Sequence, residues 1–178
     1  MRKLTHEELI ARQEESGQAP KLPFAVVVND VRSLYNVGSI FRTADGAGVE
    51  KLWLCGITGF PPDSQISKTA LDAELSVPWE YSRNVLDCVK ALKAKNYQIV
   101  ILEQTVKSVF YEEFSPAAPV ALLLGNEITG VQEDLLSLCD QAIEIPMAGI
   151  KNSLNVTVAF GVIAYHFRRE LLSRSVSK

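Results

Sequence analysis

The sequence predicts an α/β domain built on a mainly parallel sheet with helices on both faces. Short, continuously apolar runs recur along the chain, at Phe24–Val28, Gln98–Leu102 and Val120–Leu124. Such runs are the pattern of strands buried on both sides. Segments with helical spacing separate them, as at 84–94, where Val85, Leu86, Val89 and Leu92 share one side. Polar, glycine-bearing loops follow two of the strands, where α/β proteins place ligand-facing groups.

The elements follow in order. Thr5 and Glu8 fit a capping box, and Leu4, Leu9 and Ile10 give a short amphipathic helix ending before Gly17. Residues 17–23, GQAPKLP, are a linker by composition. After strand 24–28 comes a polar loop, Asn29–Asn36, then a helix from about Val37 to Asp45, stopped by Gly46 and Gly48. Lys51–Cys55 is a strand, 56–63 a loop, Ser64–Leu71 a short helix and Val77–Tyr81 a short strand. Beyond the helix 84–94 lie the strands 98–102 and 120–124, a helix Val131–Leu138, a strand Ala142–Ile145 and a long terminal helix Ser153–Leu172. We therefore expect an N-terminal helix and linker over 1–22 and one domain over 23–178.

Composition is that of an ordinary globular protein. The 178 residues are 47% hydrophobic and 22% charged, which excludes disorder over most of the length. No apolar run reaches the roughly 20 residues that span a bilayer, and the N-terminus is too charged for a signal peptide. A cytoplasmic protein without membrane association is expected. Cys55, Cys88 and Cys139 form no CxxC or Cys/His cluster, so reduced thiols and no metal site are expected. The net charge of −3 is unevenly spread. Residues 103–144 hold eight acids and one base, and residues 145–178 hold five bases and one acid. A local basic face that steers a nucleic acid and a solvated helix end both fit this asymmetry.

Familiar nucleotide and hydrolase motifs are missing. There is no GxxxxGK[ST], no GxSxG, and Gly46-Ala-Gly48 precedes a strand and lacks a third glycine. His6 and His166 are isolated from one another and from any candidate partner, so neither is given a role.

Three polar constellations remain. The first is the run from Asn29 to Asp45. Asn36 is a good N-cap, and Gly38 and Ser39 would leave amides accessible to an anion near a helix N-terminus. Arg42, taken alone, is equally a surface arginine with a packed stem. The second is Leu122 to Gly130: a leucine strand running into Gly125, Asn126 and Glu127, the geometry of a small-molecule site at a strand's carboxyl end. A plain strand–turn–helix would also use Gly and Asn, but it does not require Glu127. The third is Ile145 to Asn155, where Ser153 or Asn152 can cap the last helix and Asn155 would sit in its first turn. That helix is apolar on more than one face, through Val156, Val158, Phe160, Val162, Ile163, Tyr165 and Phe167. It suits either a buried core helix or one that meets both the domain and a second subunit.

Together and in this order, the three constellations resemble the signature of the SpoU branch of the SPOUT RNA methyltransferases. The matching parts are N-x-G-x-x-x-R-T-A from Asn36 to Ala44, L-G-N-E-x-x-G from Leu124 to Gly130, and I-P-M-x-G-x-x-x-S-L-N from Ile145 to Asn155. The resemblance runs from about Phe24 to Phe167. It implies methyl transfer from S-adenosylmethionine to a ribose 2′-hydroxyl of tRNA or rRNA, without metal, by a homodimer with the last helix in its interface. It further implies a C-terminal trefoil knot, a rare exception to the rule against threaded loops.

The site roles implied are equally specific. Arg42 is the catalytic residue, with Asn36, Glu127, Ser153 and Asn155 orienting it and the ribose. Gln104, Leu124, Gly125, Asn126, Ile145, Met147, Ser153 and Leu154 hold the cofactor. Methylation of an RNA base, or a knotted RNA-binding protein that has lost activity, are the alternatives. Only about 22 residues precede the first strand, so the separate N-terminal RNA-binding domain of many relatives is expected to be absent. The small footprint favours a tRNA loop as target, read by the linker, the 56–72 segment and the basic C-terminus.

Overall fold

The computed structural model describes residues 1–15, 21–126 and 133–175. In chain order the elements are α1 (His6–Glu15), β1 (Leu22–Asn29), α2 (Leu34–Ala47), β2 (Val49–Cys55), α3 (Ser64–Ala70), α4 (Ala73–Ser76), β3 (Trp79–Ser82), α5 (Val85–Ala94), β4 (Gln98–Leu102), β5 (Val109–Phe110), a 3₁₀ turn (Tyr111–Glu113), β6 (Val120–Leu124), α6 (Glu133–Leu136), β7 (Gln141–Glu144) and α7 (Val156–Ser175). The strands form one seven-stranded sheet in the order β3-β2-β1-β6-β4-β7-β5. Every pairing is parallel.

Strand alternation sorts the core into two layers. Phe24, Val26 and Val28 of β1 and Val120, Leu122 and Leu124 of β6 face α2, α3 and α7, packing on Ile40, Phe41, Ile66, Phe160 and Phe167. Ala25 and Val27 of β1 and Ala121 and Leu123 of β6 face α5 and α6, packing on Val89, Leu92 and Leu135. Helices therefore cover both faces, as a buried parallel sheet requires. Among the described residues no helix is long and apolar enough to cross a membrane. All three cysteines are free.

The capping box at the N-terminus is present: Thr5 Oγ1 accepts from the Glu8 amide at 3.2 Å, and Glu8 returns a bond to the Thr5 amide at 2.8 Å. β1 begins at Leu22, so the segment expected to be a linker gives its last two residues to the sheet. Leu22 is buried and pairs with Val49, which draws the strand back past Phe24. α2 begins three residues earlier than expected. Its cap is Ser33, whose hydroxyl accepts from the Asn36 amide, so Asn36 is not the cap but a residue of the first turn. The Gly38 and Ser39 amides then fall inside the helix, beyond the four free donors at its start, and the expected anion site does not form. α7 begins later than expected. Neither Ser153 nor Asn152 caps it; Asn155 does, accepting from the Thr157 amide at 2.9 Å. α4 and β5 escaped the sequence reading because four and two residues carry too little periodicity.

Gly38 has a packing role instead. A Cβ there would lie 2.1 Å from Thr69 Oγ1 and 2.3 Å from the Ile66 carbonyl oxygen, so α3 crosses directly over this point of α2. Thr69 Oγ1 also donates to the Tyr35 carbonyl at 2.9 Å, tying the first turn of α2 to α3. The Thr69 side chain can rotate away, but the Ile66 backbone cannot move without shifting α3. Gly38→Ala is thus expected to lower stability by about 1–3 kcal/mol or more, measured as a lower urea midpoint at unchanged slope.

Candidate functional site

In a parallel sheet all strand ends of one kind lie along one edge, and here the carboxyl ends of β4, β6 and β7 open onto a cleft of about 360 Å³. That size falls in the range of small-molecule sites. Leu102, Glu103 and Gln104 enter from the end of β4, Leu124, Gly125 and Asn126 from β6, and Glu144, Ile145 and Met147 from β7. Asn152, Ser153 and Leu154 close it from the loop before α7, and Val156 and Ala159 from the helix itself.

The cleft is braced by hydrogen bonds between its walls. Gln104 Nε2 donates to the Asn152 carbonyl at 2.8 Å, joining the β4 end to the loop before α7. Glu103 accepts from the Gln104 amide at 2.9 Å, and the Glu103 amide donates to the Ile143 carbonyl at 3.0 Å. The Ser108 hydroxyl donates to the Glu144 carboxylate. Asn126 Nδ2 donates to the Asp30 carbonyl at 2.8 Å, which anchors the β6 turn to the loop after β1. Asp30 adopts a left-handed backbone (φ 57°), and its carboxylate accepts from the Ile57 amide at 2.9 Å.

The structure gathers Gln104, Leu124, Gly125, Asn126, Ile145, Met147, Ser153 and Leu154 around this one cavity. Asn36 and Asn155, 119 residues apart in sequence, meet at its rim: Asn155 Nδ2 lies 3.5 Å from Asn36 Oδ1. Asn155 sits between Leu154 and Val156, both of which line the cleft. Arg42 is not brought to it. It is exposed, about 9 Å further along α2 than Asn36 at the usual helical rise, and forms no hydrogen bond or ion pair among the described residues. Glu127 lies outside the described residues.

Sequence reasoning missed Glu103, Glu144 and Asn152. The two glutamates stand at the carboxyl ends of β4 and β7, where the rule that singled out Glu127 would equally have found them. The cleft combines apolar walls (Leu124, Ile145, Met147, Leu154) with a carboxylate- and amide-bearing mouth (Glu103, Gln104, Glu144, Asn152). A flat heteroaromatic ring fits the walls, and hydroxyl or ammonium groups fit the mouth; an adenosyl amino acid carries all three. Among the described residues no group of three His, Cys, Asp or Glu is placed to hold a metal ion.

Comparison with known proteins agrees with this chemistry. The chain is 33% identical over 166 residues to the tRNA (guanosine(18)-2′-O)-methyltransferase of Escherichia coli, covering 92% of this chain and 67% of that one. Its fold matches the Aquifex aeolicus TrmH/SpoU tRNA modifying enzyme with a TM-score of 0.81 at 28% identity, over 95% of this chain and 85% of that one. It also matches an AdoMet-bound rRNA methyltransferase from Sinorhizobium meliloti with a TM-score of 0.78 at 31% identity. That match covers 83% of this chain but only 56% of the Sinorhizobium chain. The family model for SpoU rRNA methylases matches residues 23–165, a span that contains every segment of the cleft, and the chain belongs to that family.

Proposed function

We propose that this chain transfers a methyl group from S-adenosylmethionine to a ribose 2′-hydroxyl of RNA in the cytoplasm, with tRNA favoured as the substrate. The observation that carries this is the convergence of three distant segments on one site. The 124–126 and 145–154 segments wall a cleft suited to an adenosyl amino acid, and Asn155 at its rim touches Asn36 on α2.

S-adenosylmethionine, when bound, supplies an electrophilic methyl group. The chain must hold the accepting hydroxyl in line with it and dispose of a proton. Leu124, Gly125, Ile145, Met147 and Leu154 would enclose the adenosyl group, and Gln104, Asn126 and Ser153 would fix its polar edges. Asn36 and Asn155 orient the ribose. A guanidinium group offers hydrogen-bond donors and no acceptor, so Arg42 suits a clamp on the adjacent phosphate and a stabiliser of the developing alkoxide better than a proton acceptor. Glu127 is the carboxylate of the motif set and the group able to take the proton.

The same reading makes the active unit a homodimer. Val158, Tyr165 and Leu172 leave an apolar outer stripe on α7, with Val158 and Tyr165 each more than half exposed. Arg42, which lies outside the described lining of its own cleft and forms no hydrogen bond or ion pair among the described residues, would complete the cleft of the other protomer. The trefoil knot carried by this family is proposed for the C-terminal segment on the same footing.

Arg42→Ala should leave S-adenosylmethionine affinity within a few-fold of wild type and lower kcat on the order of a hundredfold or more. Arg42→Lys should not restore it fully, because an ammonium lacks the planar fork. Measurement uses calorimetric titration of the cofactor and methyl transfer to bulk tRNA from cells lacking the gene. Loss of cofactor binding in Arg42→Ala would contradict the assignment.

Asn155 has two separable duties. Asn155→Ala should cost about 1 kcal/mol by removing the α7 cap, and Asn155→Ser should recover most of that in urea denaturation. Neither should recover activity, because serine cannot reach Asn36. A Ser variant with wild-type turnover would confine Asn155 to capping.

Mixing Arg42→Ala with Asn155→Ala chains should restore activity in the heterodimer, where one site has both groups. Light scattering should give twice the chain mass. Heterodimers that form without recovery would place both residues in one protomer's site.

A further inference from the structure

Away from the cleft, the edge strand β3 and the loop after β2 carry a cluster of aromatic side chains at the surface. Phe60 and Tyr81 have ring centroids 4.7 Å apart, and Phe60 stacks on Trp79 at 6.1 Å and 29°. Phe60 is 45% and Tyr81 39% exposed, and Ile57 beside them is 61% exposed. Polar contacts hold the rings in place. Tyr81 donates its hydroxyl hydrogen to the Gly56 carbonyl at 2.8 Å, and the Gly56 amide donates to the Ser82 carbonyl at 3.1 Å. Gly59 lies against Leu34, the first residue of α2: a Cβ there would meet Leu34 Cδ2 at 2.2 Å.

Two arginines belong to the same surface. Arg32 follows Val31, whose amide donates to Thr58 Oγ1 at 3.1 Å, and Arg83 follows Ser82. Both are exposed, and neither forms a hydrogen bond or ion pair among the described residues. The acids on these segments are already engaged. Asp30 accepts from the Ile57 amide, Asp63 caps α3 through the Gln65 amide, and Glu80 pairs with Lys51 at 2.7 Å. A backbone amide orients a carboxylate without neutralising it, so the patch is of mixed charge, and among the described residues its two guanidinium groups are the cations left without a partner. The patch also adjoins the cleft, since Asp30 takes the Ile57 amide on its carboxylate and the Asn126 side chain on its carbonyl.

Exposed rings with unpaired guanidinium groups match a nucleotide, whose base stacks and whose phosphate takes the cation. We propose that Phe60 and Tyr81 form a stacking platform for one unpaired base of the RNA substrate, with Arg32 and Arg83 holding neighbouring phosphates. This rests on the RNA methyltransferase reading and adds to it where the strand lies: across the carboxyl rim of the sheet, from the cleft toward β3. It also accounts for substrate contact by the 56–63 loop, which the cleft does not use.

The test uses the whole 178-residue chain, bulk tRNA lacking the modification, and short oligouridylate. Phe60→Leu and Tyr81→Leu should weaken RNA binding by about five- to a hundredfold, the range for one stacked base. S-adenosylmethionine affinity should not change, and Phe60→Tyr, which keeps a ring, should bind as wild type does. Arg32→Gln and Arg83→Gln should each lower the slope of log affinity against log salt by about one. In a Trp53→Phe background, oligouridylate should quench Trp79, the remaining tryptophan; this needs no change in the patch and decides the matter if a ring variant fails to fold.

RNA affinities within about twofold of wild type for both leucine variants, with methyl transfer intact, would overturn the platform and leave the proposed activity standing. A changed molecular mass in Phe60→Leu would instead identify the patch as a contact between copies and overturn it. A wild-type protein that neither binds nor methylates any RNA would remove the activity and the platform together.

Discussion

The parallel pairing of β1 with β6 at the centre of the sheet is the constraint on which the site depends. Register places Val28 opposite Leu124, so the two strands end together. The chain then leaves the core at two adjacent points, Asn29–Asp30 and Gly125–Asn126, and the Asn126 side chain closes the gap by bonding the Asp30 carbonyl. β4 ends in step with them, with Leu102 opposite Leu124. Because every strand runs the same way, the polar groups that follow each one collect along a single rim. The cleft, the Asn36–Asn155 contact and the aromatic patch are successive stretches of that rim.

The helices make the rim rigid enough for positioning. α2 and α7 pack on the same face of the sheet, and each brings one asparagine to the rim. α2 is fixed from its outer side by α3, through the close approach at Gly38 and the Thr69 bond to Tyr35. α7 is fixed at its far end, where the buried His166 meets the Phe114 carbonyl at 2.7 Å and Arg174 donates to Ser115 Oγ at 2.7 Å. Burial of Phe160, Ile163 and Phe167 clamps the length between. The glycine in the N-x-G motif thus has a mechanical role: it lets a second helix approach closely enough to hold the first.

Much of this was legible in the sequence, for identifiable reasons. The strands at Gln98–Leu102 and Val120–Leu124 are found to the residue, because uninterrupted apolar runs end sharply at charged or glycine positions. The start of α2 was misread because Ser33 and Asn36 are both competent caps, and only the tertiary packing of Leu34 against the 56–60 loop decides between them. The cleft-lining segments were legible through their order and spacing. Glu103 and Glu144 stand at strand ends, as the sequence places Glu127, but no Gly-Asn pair precedes them to mark the position. The separation of Arg42 from the cleft depends on helix phase and on where neighbouring helices sit, neither of which spacing encodes.

Asn155 shows how tightly two demands can meet on one side chain. Its Oδ1 accepts from the Thr157 amide and its Nδ2 faces Asn36. Serine, threonine or aspartate could serve the helix, but none offers the amide hydrogens that Asn36 meets. Glutamine offers them one methylene too far from the backbone to cap. Of the twenty side chains only asparagine has both an acceptor and a donor at this reach, so the position has an alphabet of one letter. The two demands part at a single substitution: serine keeps the start of α7 and gives up the contact with Asn36. Selection for stability alone would accept any of the good caps, so it is the geometry of the site that narrows the choice to asparagine.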